Sequence, residues 1–417
     1  MNVPQQTEIY LGRQPILDIS QNVVAYELLF RSGQQLTAGV IDDMLATSTV
    51  IINTISHFGI DSVLDKQFGF INVSYDLLMS DVLELLPYER VVLEILETVT
   101  IDENVIQRCR ELKAIGFRLA LDDFEYNLTY EPLFEIVDII KFDVMLSDAY
   151  QIEQALKLVK QWPNIQLLAE KVEDIEQFHR YRDWGFTLFQ GYFFAHPAIL
   201  SGRKANPNQI ALMQVMSQVM SDAESADIER TFKESPNLAL GLLRLVNSVG
   251  MGIRLKIGSL HQALAVVGRR QLQRWVQLLL YTQDGSSASN PLRQLAATRA
   301  KTMELLSQQH PDRSHHTADA RDRAFMVGIL SLVDAVLGMK MEDILAQIGL
   351  IDEVKYAILK REGFLGQLLA LVEKTETGDF NAASDLLAQI GLTPADLSNA
   401  QLEAMQWATS LVEEAGS

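Results

Sequence analysis

Seven short β-rich runs, separated by stretches long enough for helices, fill most of the first 200 residues, and no other feature constrains this chain more. They are VVAYELLF (23–30), FGFINVS (68–74), RVVLEILE (90–97), FRLALDDF (117–124), VDIIKFDV (137–144), IQLLAEK (165–171) and FTLFQGYF (186–193). Between them lie helix-like segments such as DDMLATSTVIINTISHFG, ENVIQRCRELKAIG and EDIEQFHRYRDWG. The last two end in Gly after a periodic apolar face, as helix C-termini commonly do. Strands that alternate with helices form parallel sheets, because a parallel neighbour is reached only through a crossover. Seven or eight such units predict a TIM-like β/α barrel.

After HPAILSGRKANPNQ the strand signal stops, and from about residue 207 onward apolar residues recur at helical spacing. Ser235-Pro236 and Thr393-Pro394 each place a capping hydroxyl before a Pro at the first helical position. The expected organisation is therefore an α/β barrel over residues 1–203 and an all-helical domain over 204–417. A chain of 417 residues is in any case too long for one ordinary core. Residues 284–291 and 308–322 read as loops between helices, and Trp275 with the run VQLLLY reads as core.

A net charge of −19 with no long Lys/Arg run argues against DNA, RNA or an anionic membrane surface as partner. Cys109 is the only cysteine, so no intrachain disulfide forms and a reducing cytoplasm fits. The N-terminus lacks the pattern of a secretory signal. The apolar stretch 324–333 is far shorter than the roughly 20 residues that span a bilayer.

The ionisable residues of the β-rich runs fall late in each run. Asn72, Glu94, Asp122 with Asp123, Lys141, Glu170 and Gln190 come from six successive strands, and Glu27 lies in an earlier one. In a parallel barrel the strand ends converge on one mouth, so these side chains would share a pocket. For any single carboxylate a solvated strand end is the better reading, but the recurrence favours a site. Carboxylates crowded in this way repel one another unless hard cations lie between them, and oxygen-only ligands point to Mg²⁺ or Mn²⁺. Adjacent Asp122 and Asp123 can face two ions, and a metal pair roughly 3.5–4 Å apart suits phosphodiester cleavage. Lys141 would position or deprotonate a water, and Arg31 would hold a phosphate oxygen.

At these residues the chain resembles the EAL family of cyclic di-GMP phosphodiesterases over about residues 8–200. Gln14-Pro15-Ile16 matches an early QPI, and ELLFR at 27–31 matches the signature EALLR with Leu28 in place of Ala. Asn72 in FINVS, Glu94 and Glu97 in LEILET, Asp122 and Asp123 in LALDDF, Lys141 in KFD, Glu170 and Glu173 in AEKVE, and Gln190 in QGYFFAHP fill the other motif positions. The resemblance implies that Glu27, Asn72, Glu94, Asp122, Asp123 and Glu170 surround two Mg²⁺ or Mn²⁺ ions, with Lys141, Glu27 and Gln190 catalytic. It implies substrate contacts from Gln14, Pro15 and Arg31, loop support from Glu97 and Glu173, and linear pGpG as product. The loop that Glu97 steadies serves the family at its dimer contact, so a homodimer is among the expectations. Here that loop departs from the family, since two glycines are replaced by Glu125 and Asn127, and Lys171 stands where the family has Gly.

Residues 235–276 resemble HDOD domains through Leu243, Asn247, Ser248, Ser259, Ala263 and Gly268. These domains are relatives of HD phosphohydrolases without the metal-binding His-Asp pair, and here Ser331-Leu332 occupies that place. The resemblance thus implies a helical half that is not catalytic and that binds a protein partner of unknown identity. His315-His316 reads as solvated, and His261 as a capping or packing residue. Two functions stay open: the intact ligand set favours a cyclic di-GMP phosphodiesterase, and the altered loop favours a degenerate barrel that serves as cyclic di-GMP receptor or interaction module.

Overall fold

The computed structural model describes residues 9–32, 63–64, 66–124, 128–146, 149–194, 207–246, 259–280, 291–348 and 350–416. Eight strands close into a barrel in chain order: β1 (Ile9–Asp18), β2 (Val23–Ser32), β3 (Phe68–Val73), β4 (Val91–Ile95), β5 (Arg118–Leu121), β6 (Ile139–Asp143), β7 (Gln166–Glu170) and β8 (Leu188–Gln190). From β2 to β8 every neighbour is parallel. β1 is not, because it runs antiparallel to both β2 and β8. The expectation of an all-parallel barrel is corrected here. The first strand, IYLGRQPILD, also lies outside the seven runs picked from sequence.

The parallel strands are buried on both faces, so β4 and β6 are apolar almost throughout and their few polar residues stand out. Short helices α1 (Tyr75–Leu78), α2 (Glu103–Ile115), α3 (Ala149–Val159) and α4 (Ile175–Trp184) lie between strands. α2 starts at Asp102, whose carboxylate accepts from the Val105 N–H, and α4 starts at Asp174, which accepts from Gln177. Both end at a glycine in the left-handed region, Gly116 at φ 119° and Gly185 at φ 105°.

The second half is helical: α5 (Pro207–Met220), α6 (Ser225–Glu234), α7 (Pro236–Val246), α8 (Leu260–Leu279), α9 (Pro291–Gln309), α10 (Ala318–Leu330), α11 (Val333–Leu337), α12 (Met341–Gln347), α13 (Asp352–Lys360), α14 (Gly363–Glu376), α15 (Phe380–Ile390) and α16 (Pro394–Gly416). One continuous apolar core joins them. It includes Val276 and Leu280, with Trp275 packed against it, as expected. α9 is buried along most of its length between α10 and α16. The stretch 308–322 is only partly a loop, since α10 begins at Ala318 with Thr317 as its cap. Residues 281–290, Asn247 and Ser248 lie outside the described residues. No helix among the described residues is long and apolar enough to cross a membrane.

The two halves touch along β1. α14 and α16 pack on that strand, Leu29, Tyr192 and Phe194 of the barrel half reach the helical core, and Leu402 of α16 joins the barrel's outer core. Tyr26 donates its hydroxyl to Gln294 Oε1 at 2.5 Å across the same joint.

Candidate active site

The barrel interior is closed by a plug of eight apolar residues, one from each strand: Ile16, Ala25, Phe70, Val92, Ala120, Ile139, Leu168 and Leu188. Side chains of a strand alternate between faces, so the residue two positions onward points into the barrel one layer higher. Two positions toward the mouth from each plug residue stand Gln14, Glu27, Asn72, Glu94, Asp122, Lys141, Glu170 and Gln190. In β1 the step runs backward along the chain, from Ile16 to Gln14, because that strand is reversed. Every residue of this layer is polar, and all eight were candidates from sequence.

Lys141 lies at the centre and is 1% exposed. Its ammonium is 2.8 Å from Glu170 Oε1, 3.0 Å from Asp122 Oδ1 and 3.8 Å from Glu27 Oε2, and it also pairs with Glu94. Glu27 is held from two sides, accepting from Asn72 Nδ2 at 3.1 Å and from Gln190 Nε2 at 2.6 Å. Burial pushes the Glu27 carboxyl upward, but Lys141 and these two amides outweigh it and keep the pKa below the usual carboxylate value. Asp122 and Glu170 go the other way. Burial raises Asp122 to about 7, reinforced by Glu27, Asp123 and Glu97. Burial raises Glu170 to about 8 even though Lys141 opposes it.

One ammonium cannot neutralise the carboxylates of Glu27, Glu94, Asp122, Asp123 and Glu170. Carboxylate oxygens of Glu27, Glu94 and Glu170 lie within 4.8 Å of one another, and so do those of Asp122, Asp123 and Glu170. Two adjacent oxygen clusters therefore share Glu170. Asn72 Oδ1, Glu94 Oε2 and Gln190 Oε1 are buried with no hydrogen-bond partner among the described residues. Buried acceptors without donors are costly, and hard cations or their bound waters satisfy them. The donor set thus fits divalent ions that take oxygen ligands.

The backbone beside the clusters is strained. Asp123 sits at φ 36° and Lys171 at φ 57°, both in the left-handed region that disfavours side chains with a Cβ. The Lys171 ammonium pairs with Asp143 and its side chain is half exposed, and its charge also acts on Asp123 and Glu170 of the second cluster. Burial lowers the Lys171 pKa, but the Asp143 carboxylate outweighs it and raises the value. Asp143 was missed in the sequence reading. It lies two residues beyond Lys141 in β6, and the same period of two that built the ring would have found it.

The remaining candidates are dispersed. Pro15 points to the opposite face of β1 and lines a cavity against the helical half. Glu97 is exposed at the turn after β4, where its charge acts on Asp122 and Asp123. Glu173 is exposed before α4, its N–H donating to Gln177. The backbone of Arg31 belongs to β2, while its side chain and Glu125–Asn127 lie outside the described residues. In the helical half, Ser331 Oγ accepts from Arg299 and donates to the Gly328 carbonyl, each at 2.7 Å, and Leu332 is buried. The His315 ring is not merely solvated, for it stacks on Phe364 with centroids 3.9 Å apart. His261 neither caps nor packs, since it is 77% exposed beside Glu229.

A family model described as EAL domain matches residues 3–197, and one described as HDOD domain matches residues 207–357. The cyclic di-GMP phosphodiesterase CdgJ of Vibrio cholerae is 32% identical over 408 residues, spanning 96% of this chain and 93% of that protein. The uncharacterized protein YuxH of Bacillus subtilis is 29% identical, spanning 97% of this chain and 99% of its own. Among solved structures, the Bacillus subtilis YkuI protein, with an EAL domain and in complex with substrate c-di-GMP and calcium, covers 54% of this chain and 71% of its own at a TM-score of 0.39 and 20% identity. With one family filling the barrel half and the other the start of the helical half, the chain belongs to the proteins in which an EAL domain is followed by an HDOD domain.

Proposed function

We propose that the barrel is a metal-dependent phosphodiesterase that opens cyclic di-GMP to linear pGpG, and that the helical half, from residue 204 onward, serves regulation or protein contact. The observation that carries this reading is the complete polar layer above the apolar plug, with buried unpaired acceptors on Asn72, Glu94 and Gln190 and two oxygen clusters that share Glu170. Glu27, Asn72, Glu94, Asp122, Asp123 and Glu170 would hold two Mg²⁺ or Mn²⁺ ions. When bound, such ions supply Lewis acidity and an acidified water. Lys141, fixed among the carboxylates, would position or deprotonate the attacking water, and Gln190, whose buried Oε1 has no partner among the described residues, would help to orient it. Gln14 and Arg31 would contact the dinucleotide, Pro15 on the other face of β1 would not, and Glu97 and Glu173 would steady the loops beside the ligands. A full relative named for this activity at 32% identity supports the substrate. The reading places the protein in the cytoplasm, and a homodimer is compatible with it.

The test is to incubate the purified chain with cyclic di-GMP and Mn²⁺ or Mg²⁺, following pGpG by chromatography and binding by calorimetry. We expect turnover that Glu27→Ala abolishes. Binding with no turnover would leave a receptor instead, and neither binding nor turnover would sink the proposal.

A further inference from the structure

Gln14 is tied to the helical half as well as to the site. Its Nε2 donates to the backbone carbonyl of Glu376 at 3.1 Å, and its Oε1 accepts from Gln190 Nε2 at 2.7 Å. Gln190 also donates to Glu27 Oε2, and Asn72 donates to Glu27 Oε1. A continuous run of hydrogen bonds therefore leads from the end of α14 to a carboxylate of the oxygen clusters. Its polarity is consistent throughout. A carbonyl can only accept, so Gln14 must present its NH₂ to Glu376 and its oxygen to Gln190, whose own NH₂ then serves both Gln14 and Glu27.

The acceptor is built to hold still. Glu376 is the last residue of α14, where carbonyls have no partner within the helix and carry the negative end of the helix dipole. The Glu376 carboxylate is gripped by buried Arg299, with Nε–Oε1 at 3.1 Å and Nη2–Oε2 at 2.6 Å, and Arg299 is itself anchored on Ser331. The fit against the barrel is tight at one point. A Cβ built on Gly12, two residues from Gln14 in β1, would lie 2.8 Å from the Thr375 carbonyl oxygen. Nearby the joint is looser, with a cavity of about 50 Å³ lined by Thr298, Thr302 and Gln401, whose side-chain oxygens have no partner among the described residues.

We infer that the C-terminal turn of α14, Thr375–Glu376, is a positioning element for the metal site, acting through Gln14 and Gln190 on Glu27. This inference rests on the metal-dependent reading above. Ring residues that orient a ligand are typically worth about 10–100-fold in metal affinity or activity.

The experiment uses the full chain. Gly12→Ala presses on the Thr375 carbonyl from the barrel side, and Glu376→Gln weakens the Arg299 grip from the helical side. Gln294→Ala removes the Tyr26 hydrogen bond elsewhere in the joint and serves as control. Mn²⁺ is titrated by calorimetry without nucleotide, and kcat and KM for cyclic di-GMP are measured separately. The first two variants should raise the half-saturating Mn²⁺ concentration about 10–100-fold and lower kcat more than they raise KM, while Gln294→Ala leaves both unchanged. Coupling is reciprocal, so in the unaltered chain Mn²⁺ should also slow amide exchange around residues 375–380. That measurement decides the matter if a variant fails to fold. An unaltered chain that binds Mn²⁺, with folded variants titrating like it or with exchange at α14 unmoved, overturns this inference alone. An unaltered chain that takes up no Mn²⁺ removes the metal site and the inference together.

Discussion

At the scale of single residues, the site's chemistry is set by the mismatch between one buried ammonium and the carboxylates around it. Asp122 and Glu170 hold protons up to about pH 7 and about pH 8 because burial and neighbouring carboxylates penalise their charged forms. A cation must displace those protons, so metal affinity should climb as pH rises from about 6 to about 9. Mn²⁺ calorimetry across that range checks it, with proton release seen as a dependence of the heat on buffer. The stability sign follows from the same shifts. A carboxyl whose folded pKa is raised contributes stability that is present below its unfolded value and lost as pH rises through the folded one. The metal-free protein should therefore melt at lower temperature above about pH 8 than near pH 6, and Asp122→Asn should flatten that slope. Lys141→Met should abolish turnover and make the metal-free slope steeper, since the carboxylates then face one another without a central charge; unchanged turnover would remove Lys141 from the mechanism. Most of these residues were legible because each breaks an apolar run at the same height. Asp143 follows the same period of two but stands beyond that common height, so it was passed over as an ordinary strand end, and its pairing with Lys171 is what the structure adds.

Among the elements, legibility followed local chemistry. Helices α2, α4, α7 and α16 announce themselves through Asp or Ser/Thr caps, Pro at the first turn or a closing Gly, all of which act within a few residues. β1 has no such signature. Its ten residues include a Gly, a Pro and an Arg, and it becomes a strand because β2 and β8 pair with it on either side. Its reversed direction is why Gln14 entered the reading through resemblance rather than through the pattern of strand ends. Close helix contacts are equally hidden in sequence. A Cβ on Gly328 of α10 would lie 2.5 Å from Ala300 Cα and 2.7 Å from Ala300 N in α9. Both obstacles are backbone and cannot swing away, so Gly328→Ala should destabilise the chain by about 1–3 kcal/mol, the usual range for overpacking. Denaturant titration measures this, and a variant as stable as the parent would mean that α9 and α10 are free to separate. By contrast, Asp102→Ala removes the cap of α2 and should cost about 1 kcal/mol without altering turnover, because α2 covers the outside of the barrel.

Across the whole molecule, the question is whether barrel and helices behave as one body or two. A composition shift near residue 204 suggests separate units, yet the packing crosses that boundary in both directions. Leu402 of the last helix sits in the barrel's outer core, while Leu29, Tyr192 and Phe194 sit against the helical one. Buried Arg299 lies at the centre of the joint, pairing with Glu376 and Glu373 and held charged by them against the cost of burial. Such a pair is weak evidence for net stability, since two hydrophobic residues of similar volume often do as well. Removing one partner is another matter, because the other charge is then buried alone. Arg299→Met should cost about 3–5 kcal/mol, and Arg299→Met with Glu376→Leu should cost less than the single change. The way the loss appears tests the unity of the fold. If α14 holds β1 in place, far-UV ellipticity of the helices and Mn²⁺-dependent protection of the barrel should collapse at one midpoint in the parent chain, and at one lower midpoint in Arg299→Met. Two separated transitions, with Mn²⁺ shifting only the one that belongs to the barrel, would show that β1 keeps its place without the helical half.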